Sequence, residues 1–259
     1  MPGATARTRL VRLGRRRHVP LSEGALAFAA LHGVAGGDAV LDQLAAGLSP
    51  ATASALERAD ALARVLKSFS LDDHEVPAWP EVLAHRSGSP VGLSILWLAV
   101  AERAGWTAEA LNFPGFLPVR LADSTGGRVI VDPATGGRVL EARDLRAAVK
   151  AVEGLASELH PSLFAPVANR DILLRLQNEA KLYALHAGRV ADALGIVEGM
   201  LAFAPDQDGL WREAGMMHLR LDNLPAAIAA LEQFVGRTAN QAARRRTQEL
   251  LQDIRARMH

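Results

Sequence analysis

Apolar residues recur along most of this chain at helical spacing, and the exceptions cluster between residues 108 and 140. Leu56, Ala59, Leu62, Val65, Leu66 and Phe69 repeat every three or four positions, the stripe of an amphipathic helix. Ser49-Pro50 predicts its start, because proline at a first helical position loses no hydrogen bond. Before it, Val40, Leu41, Leu44 and Leu48 mark a helix over Ala39–Gly47, capped by Asp38. Leu21–His32 reads as another, with Ser22 as N-cap and Gly33, Gly36 and Gly37 as its stop. Pro90–Ala104 is apolar on both faces: Leu93, Leu96, Trp97, Val100 and Ala101 on one, Ile95, Leu98 and Ala99 on the other. A helix of that kind is covered on most sides, which predicts the centre of a domain. Its spacing then gives way to short strands over Ala108–Asn112, Phe116–Leu121 and Val129–Asp132, with a short piece at Val139-Leu140. Pro118 inside the second places that strand at an edge or a bulge. Glu141–Leu155 returns to helix, and Pro161–Ala168 reads as a linker. The expectation is an α+β, helix-rich fold with a small antiparallel sheet.

From Asn169 onward the chain is helical throughout and repeats itself. A shift of about 34 residues, the tetratricopeptide period, brings Leu176 onto Leu210, Ala180 onto Ala214, Ala193 onto Ala227 and Met200 onto Phe234. Trp211, Ala214 and Gly215 fit the opening of that motif. Small residues at Ala180, Ala193, Gly215 and Ala227 let paired helices approach, with Trp211 filling the gap beside them. Gln241–Met258 reads as a basic capping helix. Three segments follow: a flexible basic arm over 1–20, an α+β domain with a helical cap over 21–160, and helical repeats over 169–259.

Composition narrows the chemistry. The 259 residues carry a net charge of +1, so no global field points to nucleic acid. There is no cysteine, which excludes disulfides, thiolate metal sites and a cysteine nucleophile. The longest apolar run, Val91–Ala101, is shorter than the roughly 20 residues a membrane helix needs. Ser22 and Glu23 interrupt the stretch after the Arg-rich start, so no secretion signal is expected and a cytoplasmic location is the working assumption. Asp72, Asp73, His74 and Glu75 are adjacent metal-capable side chains. One short run does not build a coordination shell, and neither metal nor cofactor is expected.

Three motifs carry the strongest signal: Arg86-Ser87-Gly88-Ser89-Pro90-Val91-Gly92-Leu93-Ser94, then Asn112-Phe113-Pro114-Gly115 with Arg120, then Val131-Asp132-Pro133 with Gly136-Gly137. In this order, followed by the repeats, they resemble the SirB-type family of bacterial proteins. That family joins a transglutaminase-like domain to tetratricopeptide-like repeats. A catalytic transglutaminase-like fold places a Cys at the start of the central helix, a His on the next strand and an Asp on the one after. On the motifs, those positions fall at Pro90, Phe116 and Asp132. Proline supplies no nucleophile and phenylalanine no base, so the site reads as degenerate and the chain as a non-enzyme. The family commonly lacks the Cys; loss of the His is a further departure.

The resulting expectation is a non-catalytic protein that binds another protein or a peptide, in a regulatory role. Ser94, Asn112, Arg120 and Asp132 are the candidates to line a groove in the old site. Asp132 also has a plainer reading, as a side chain accepting backbone N–H groups in its own turn. Two alternatives stay open. One is a residual hydrolase or acyltransferase pairing Asp132 with a serine. The other is a nucleic-acid or membrane-surface binder acting through Arg7, Arg9, Arg12, Arg15, Arg16 and Arg17, although net charge argues against nucleic acid.

Overall fold

The computed structural model describes residues 2–48, 54–72 and 79–257. Asp73, His74 and Glu75 of the metal-capable run, and the Ser49-Pro50 helix start, lie outside them.

The first described element corrects the flexible arm. Pro2–Gly14 is a helix, α1. Ala6, Leu10 and Leu13 are buried at helical spacing, while Arg7, Arg12 and Arg15 stay exposed. An arginine-rich sequence therefore hides an amphipathic helix whose apolar stripe is only three residues wide.

The chain forms two compact units: His18–Leu176, and Met1–Arg17 together with Gln177–His259. In the first, α2 (Leu21–Leu31), α3 (Asp38–Ala46) and α4 (Ala55–Val65) make the helical cap. The N-cap of α2 is Pro20, so Ser22 lies inside the first turn instead of capping it. Helix α4 starts with a capping box: the Ser54 hydroxyl accepts from the Glu57 N–H while Glu57 accepts from the Ser54 N–H. That bond holds the Glu57 carboxyl below its usual range.

Next come β1 (Ser70–Leu71), α5 (Trp79–His85) and β2 (Ser87–Gly88), with β1 and β2 paired in parallel. The central helix, α6, spans Pro90–Arg103. Ser89 caps it by accepting the Gly92 N–H, Pro90 fills its first position, and every residue from Val91 to Ala101 is buried. Near its other end Arg103 donates to Asp38 (2.6 Å) and Asp42 (2.9 Å), tying α6 to the start of α3.

The main sheet is antiparallel in the order β3 (Thr107–Ala110), β4 (Val119–Ala122), β5 (Arg128–Asp132), β6 (Arg138–Val139). It has four strands, one more than the three full strands expected. Strand β4 pairs on both sides, so it is internal, not an edge. Pro118 sits just ahead of it, where its carbonyl accepts the Leu111 N–H and no donor is needed. The pleat separates two faces. Val119, Leu121 and Val131 are fully buried on one, and α6 packs on β3 and β4. Arg120 and Ile130 pair on the other, where Ile130 joins a second core of Leu111, Phe113, Leu140, Leu145, Val149 and Leu163. Leu145 and Val149 come from α7 (Ala142–Glu153).

The 161–168 stretch belongs to this unit instead of linking away from it. Leu163 is buried in the second core, Pro166 bridges Leu111, and the Val167 N–H donates to the Ala110 carbonyl. Asp123 closes the β4–β5 turn by accepting from Thr125 and Gly127, and it also accepts the Ala55 N–H at the start of α4. Those bonds, the Thr125 hydroxyl foremost, lower its carboxyl to about 2.

Helix α8 (Asn169–His186) carries the division between the units at Leu176/Gln177. After it come α9 (Val190–Phe203), α10 (Asp208–Arg220), α11 (Leu224–Arg237) and α12 (Gln241–Arg257). The 34-residue period is written into the backbone. The Arg189 N–H donates to the Ala184 carbonyl at 2.8 Å, and Asn223 to His218 at 2.9 Å. Gly188 pairs with Leu185 as Asp222 pairs with Leu219, and Ala204 with Met200 as Thr238 with Phe234. Gly188 and Asp222, matched only loosely by residue type, share the left-handed conformation at φ 71° and 55°. In the same unit, α1 packs on α9, and a Cβ on Gly14 would fall 1.9 Å from the Phe203 carbonyl oxygen.

Candidate functional site

The three motif positions are held by one helix and its neighbours. Pro90 begins α6. The Ser94 hydroxyl, one turn on, lies 3.0 Å from the Pro90 carbonyl and 2.7 Å from that of Leu117, which joins the helix start to the residue after Phe116. Ser94 is 1% exposed. Its expected place in an open groove is corrected: the hydroxyl is a buried tie between helix and strand approach.

Phe116 packs against the second core, with its ring centroid 5.7 Å from that of Phe113. Arg120 was also a groove candidate. Its guanidinium instead holds Glu109 across the β3–β4 pair at 2.5 Å and donates to the Phe164 carbonyl at 3.1 Å. Asn112 is exposed and accepts from Arg175 at 2.7 Å.

Asp132 ends β5 and caps the single 3₁₀ turn Pro133–Thr135. One carboxylate oxygen accepts the Ala134 N–H at 3.0 Å and the other accepts the Thr135 hydroxyl at 3.0 Å. Both oxygens thus serve its own turn, the plainer of the two readings. Of the two glycines that follow, the second has a steric role. Gly137 has φ 85°, and a Cβ there would sit 2.2 Å from the Trp97 ring. The Asp-Pro-x-x-Gly-Gly motif is therefore a turn laid flat on the aromatic face of α6. His85, the histidine nearest Pro90 in sequence, is exposed at the end of α5.

In the repeat unit the small residues do what their size implies. A Cβ on Gly215 would meet Leu231 at 2.6 Å, and Ala193 and Ala227 are fully buried. Ala180 is only half-buried. Trp211 is also half-buried; its indole N–H donates to the Pro205 carbonyl at 3.0 Å, and Arg237 lies over its ring at 5.1 Å.

Between α8 and α10 lies a groove of about 250 Å³ that the sequence reading missed. Leu182, Leu185 and Met216 give it an apolar wall; Leu182 and Met216 occupy equivalent places in the two repeats. Lys181, Arg212, Glu213 and Arg220 are its charged groups. Lys181 is 6% exposed and bonds Glu213 at 2.6 Å. The period itself was the available signal, since it sets Leu182 on Met216. Charged partners 32 positions apart carry no local mark.

Fold and motifs together define a transglutaminase-like domain followed by tetratricopeptide repeats. Comparison agrees: the transglutaminase-like superfamily profile matches residues 38–178, and a tetratricopeptide-repeat profile matches residues 180–252. The chain belongs to the transglutaminase-like superfamily. It is 32% identical over 161 residues to a UPF0162 protein of Xylella fastidiosa, covering 60% of this chain and 56% of that one. A UPF0162 protein of Pseudomonas aeruginosa is 28% identical over 186 residues, 69% of this chain and 67% of the relative. Protein SirB1 of Salmonella typhimurium is 24% identical over 155 residues, 60% of this chain and 57% of the relative. The chain thus spans little more than half the length of the Xylella and Salmonella relatives it matches. No helix among the described residues is long and apolar enough to cross a membrane.

Proposed function

We propose that this chain is a non-catalytic binding protein, with a transglutaminase-like scaffold followed in the chain by a repeat surface that holds a protein partner. The observation that carries it is Asp132, the one chemical position kept in type, whose two oxygens both serve its own turn. With Pro90 and Phe116 at the other two positions, a nucleophile and a base are missing together. The alternative of a residual hydrolase with Ser94 is weakened by that hydroxyl's burial against two carbonyls. The repeats supply the binding side of the proposal, since stacked helix pairs offer extended surfaces suited to peptides. A cytoplasmic location is part of the same reading, and cell fractionation checks it.

Amide hydrolysis and transamidation by the intact protein are the decisive assays. The expected result is no turnover above background, and no difference with Asp132→Ala. Turnover that Asp132→Ala abolishes overturns the proposal. The surface-binding alternative, through the arginines of the N-terminal segment, calls for charge reversal of Arg12 in α1 and Arg15 just after it, not deletion. Deletion would also strip Leu10 and Leu13 from the core. Salt-sensitive binding to nucleic acid or anionic vesicles that the reversal removes would favour it.

A further inference from the structure

The groove between α8 and α10 has a chemistry of its own. Among the described residues, Glu213 is the sole partner of the Lys181 ammonium. An ammonium carries three donors, so two are unused on a side chain that is 94% buried by its 6% exposure. A buried donor without an acceptor is costly, and an incoming oxygen relieves that cost. Arg212 and Arg220 are exposed on the same wall and have no ion-pair partner among the described residues. The lining therefore holds three cations against the single carboxylate of Glu213. Its remaining wall is aliphatic and thioether, with Leu182 and Met216 partly open to solvent.

Size decides what kind of occupant fits. Small-molecule clefts run roughly 300–1,000 Å³ and bury most of their ligand. At about 250 Å³, open between two helices, this groove takes one or two side chains of a longer segment. Methionine on the wall suits it to side chains of varied shape.

We infer that the groove receives an acidic, amphipathic segment of a second protein. A Glu or Asp of that segment takes the unused donors of Lys181 and the guanidinium groups of Arg212 and Arg220. A neighbouring Leu or Met lies along Leu182, Leu185 and Met216. The inference rests on the binding reading above and narrows it to one face and one charge.

The test uses the intact protein and an array of 12-residue peptides carrying Leu or Met four positions apart, each made with Asp/Glu and again with Asn/Gln. Fluorescence polarisation reads affinity. Acidic peptides are expected to bind at least tenfold more tightly than their amide counterparts. Arg212→Glu with Arg220→Glu, both on exposed side chains, should erase that preference while leaving the helical circular dichroism unchanged. Glu213→Gln, which frees Lys181 for the peptide, should tighten acidic peptides several-fold. Equal binding of the two sets, a preference unmoved by the double reversal, or no peptide bound each overturns the inference. Charge-blind binding would sink the acidic assignment but leave the binding reading intact. Asp132-dependent turnover would do the reverse.

Discussion

In the transglutaminase-like unit, polar side chains at the motif positions end in their own scaffold; in the repeat unit, some at the groove do not. Asp132 caps its turn, Ser94 ties helix to strand approach, and Arg120 bridges two strands and a carbonyl. Lys181, by contrast, keeps two donors unused, and Arg212 and Arg220 stand unpaired among the described residues. The contrast teaches that a conspicuous motif is not by itself a site. The second glycine of the third motif, Gly137, is required by a ring beneath it, and Ser89 of the first by a helix end. On the proposed reading, binding falls where hydrogen-bonding groups are left over, on the repeat helices and away from the three motifs of the first unit.

The comparison breaks most readily at Trp97. If the Asp132–Gly137 turn is scaffold, Trp97→Ala removes its floor and should destabilise by about 3–5 kcal/mol. Urea denaturation checks this, and a loss under about 1 kcal/mol would mean the turn does not depend on the ring. Next is Gly215→Val, which drives a branched side chain into Leu231. Overpacking of this kind costs about 1–3 kcal/mol, read as a lower urea midpoint. A matched pair sharpens the repeat equivalence. Gly188→Ala should destabilise by about 1 kcal/mol, and Asp222→Gly should be neutral or stabilising, since both positions are left-handed. Opposite signs would remove the structural equivalence of the two turns.

The smallest expected effect concerns acid. Asp123 is held near 2 in the fold, against about 4 in an unfolded chain. Its stabilising contribution is therefore full above about pH 4 and fades as pH falls toward 2. Asp123→Asn should lower stability at neutral pH and flatten the acid decline of thermal midpoints across that window. An unchanged acid slope would show that the β4–β5 hook onto α4 contributes nothing.

Much of the fold was legible because it depends on local pattern. The all-apolar α6, Pro90 at its first position and the 34-residue period were visible as residue types at fixed spacing, whereas Asp38, expected as a cap, is the first residue of α3 and Gly37 precedes it as N-cap. The strands were found, but their rank was not. Pro118 suggested an edge because proline lacks a donor, whereas β4 begins one residue later and pairs on both sides. The capping box of Ser54 and Glu57 was present as Ser-x-x-Glu but was overshadowed by Ser49-Pro50. The basic N-terminus read as an arm because six arginines outweigh Ala6, Leu10 and Leu13 in any composition count. Three buried residues suffice once a partner helix covers them.

By itself the sequence determined the class of fold, the two-part order and the absence of cysteine, the ground on which loss of the chemical residues at Pro90 and Phe116 is proposed. All three follow from residue identity and spacing along one chain. Tertiary structure decided what each remaining polar group does. Asp132 could face a cleft or its own backbone, and only the 3₁₀ turn on Trp97 settles it. Lys181 and Glu213 could be unrelated surface charges, and only the stacking of α8 beside α10 makes them a pair. Hydrogen bonds are directional and short-ranged, so whether a group is satisfied or left over depends on neighbours that sequence distance does not record.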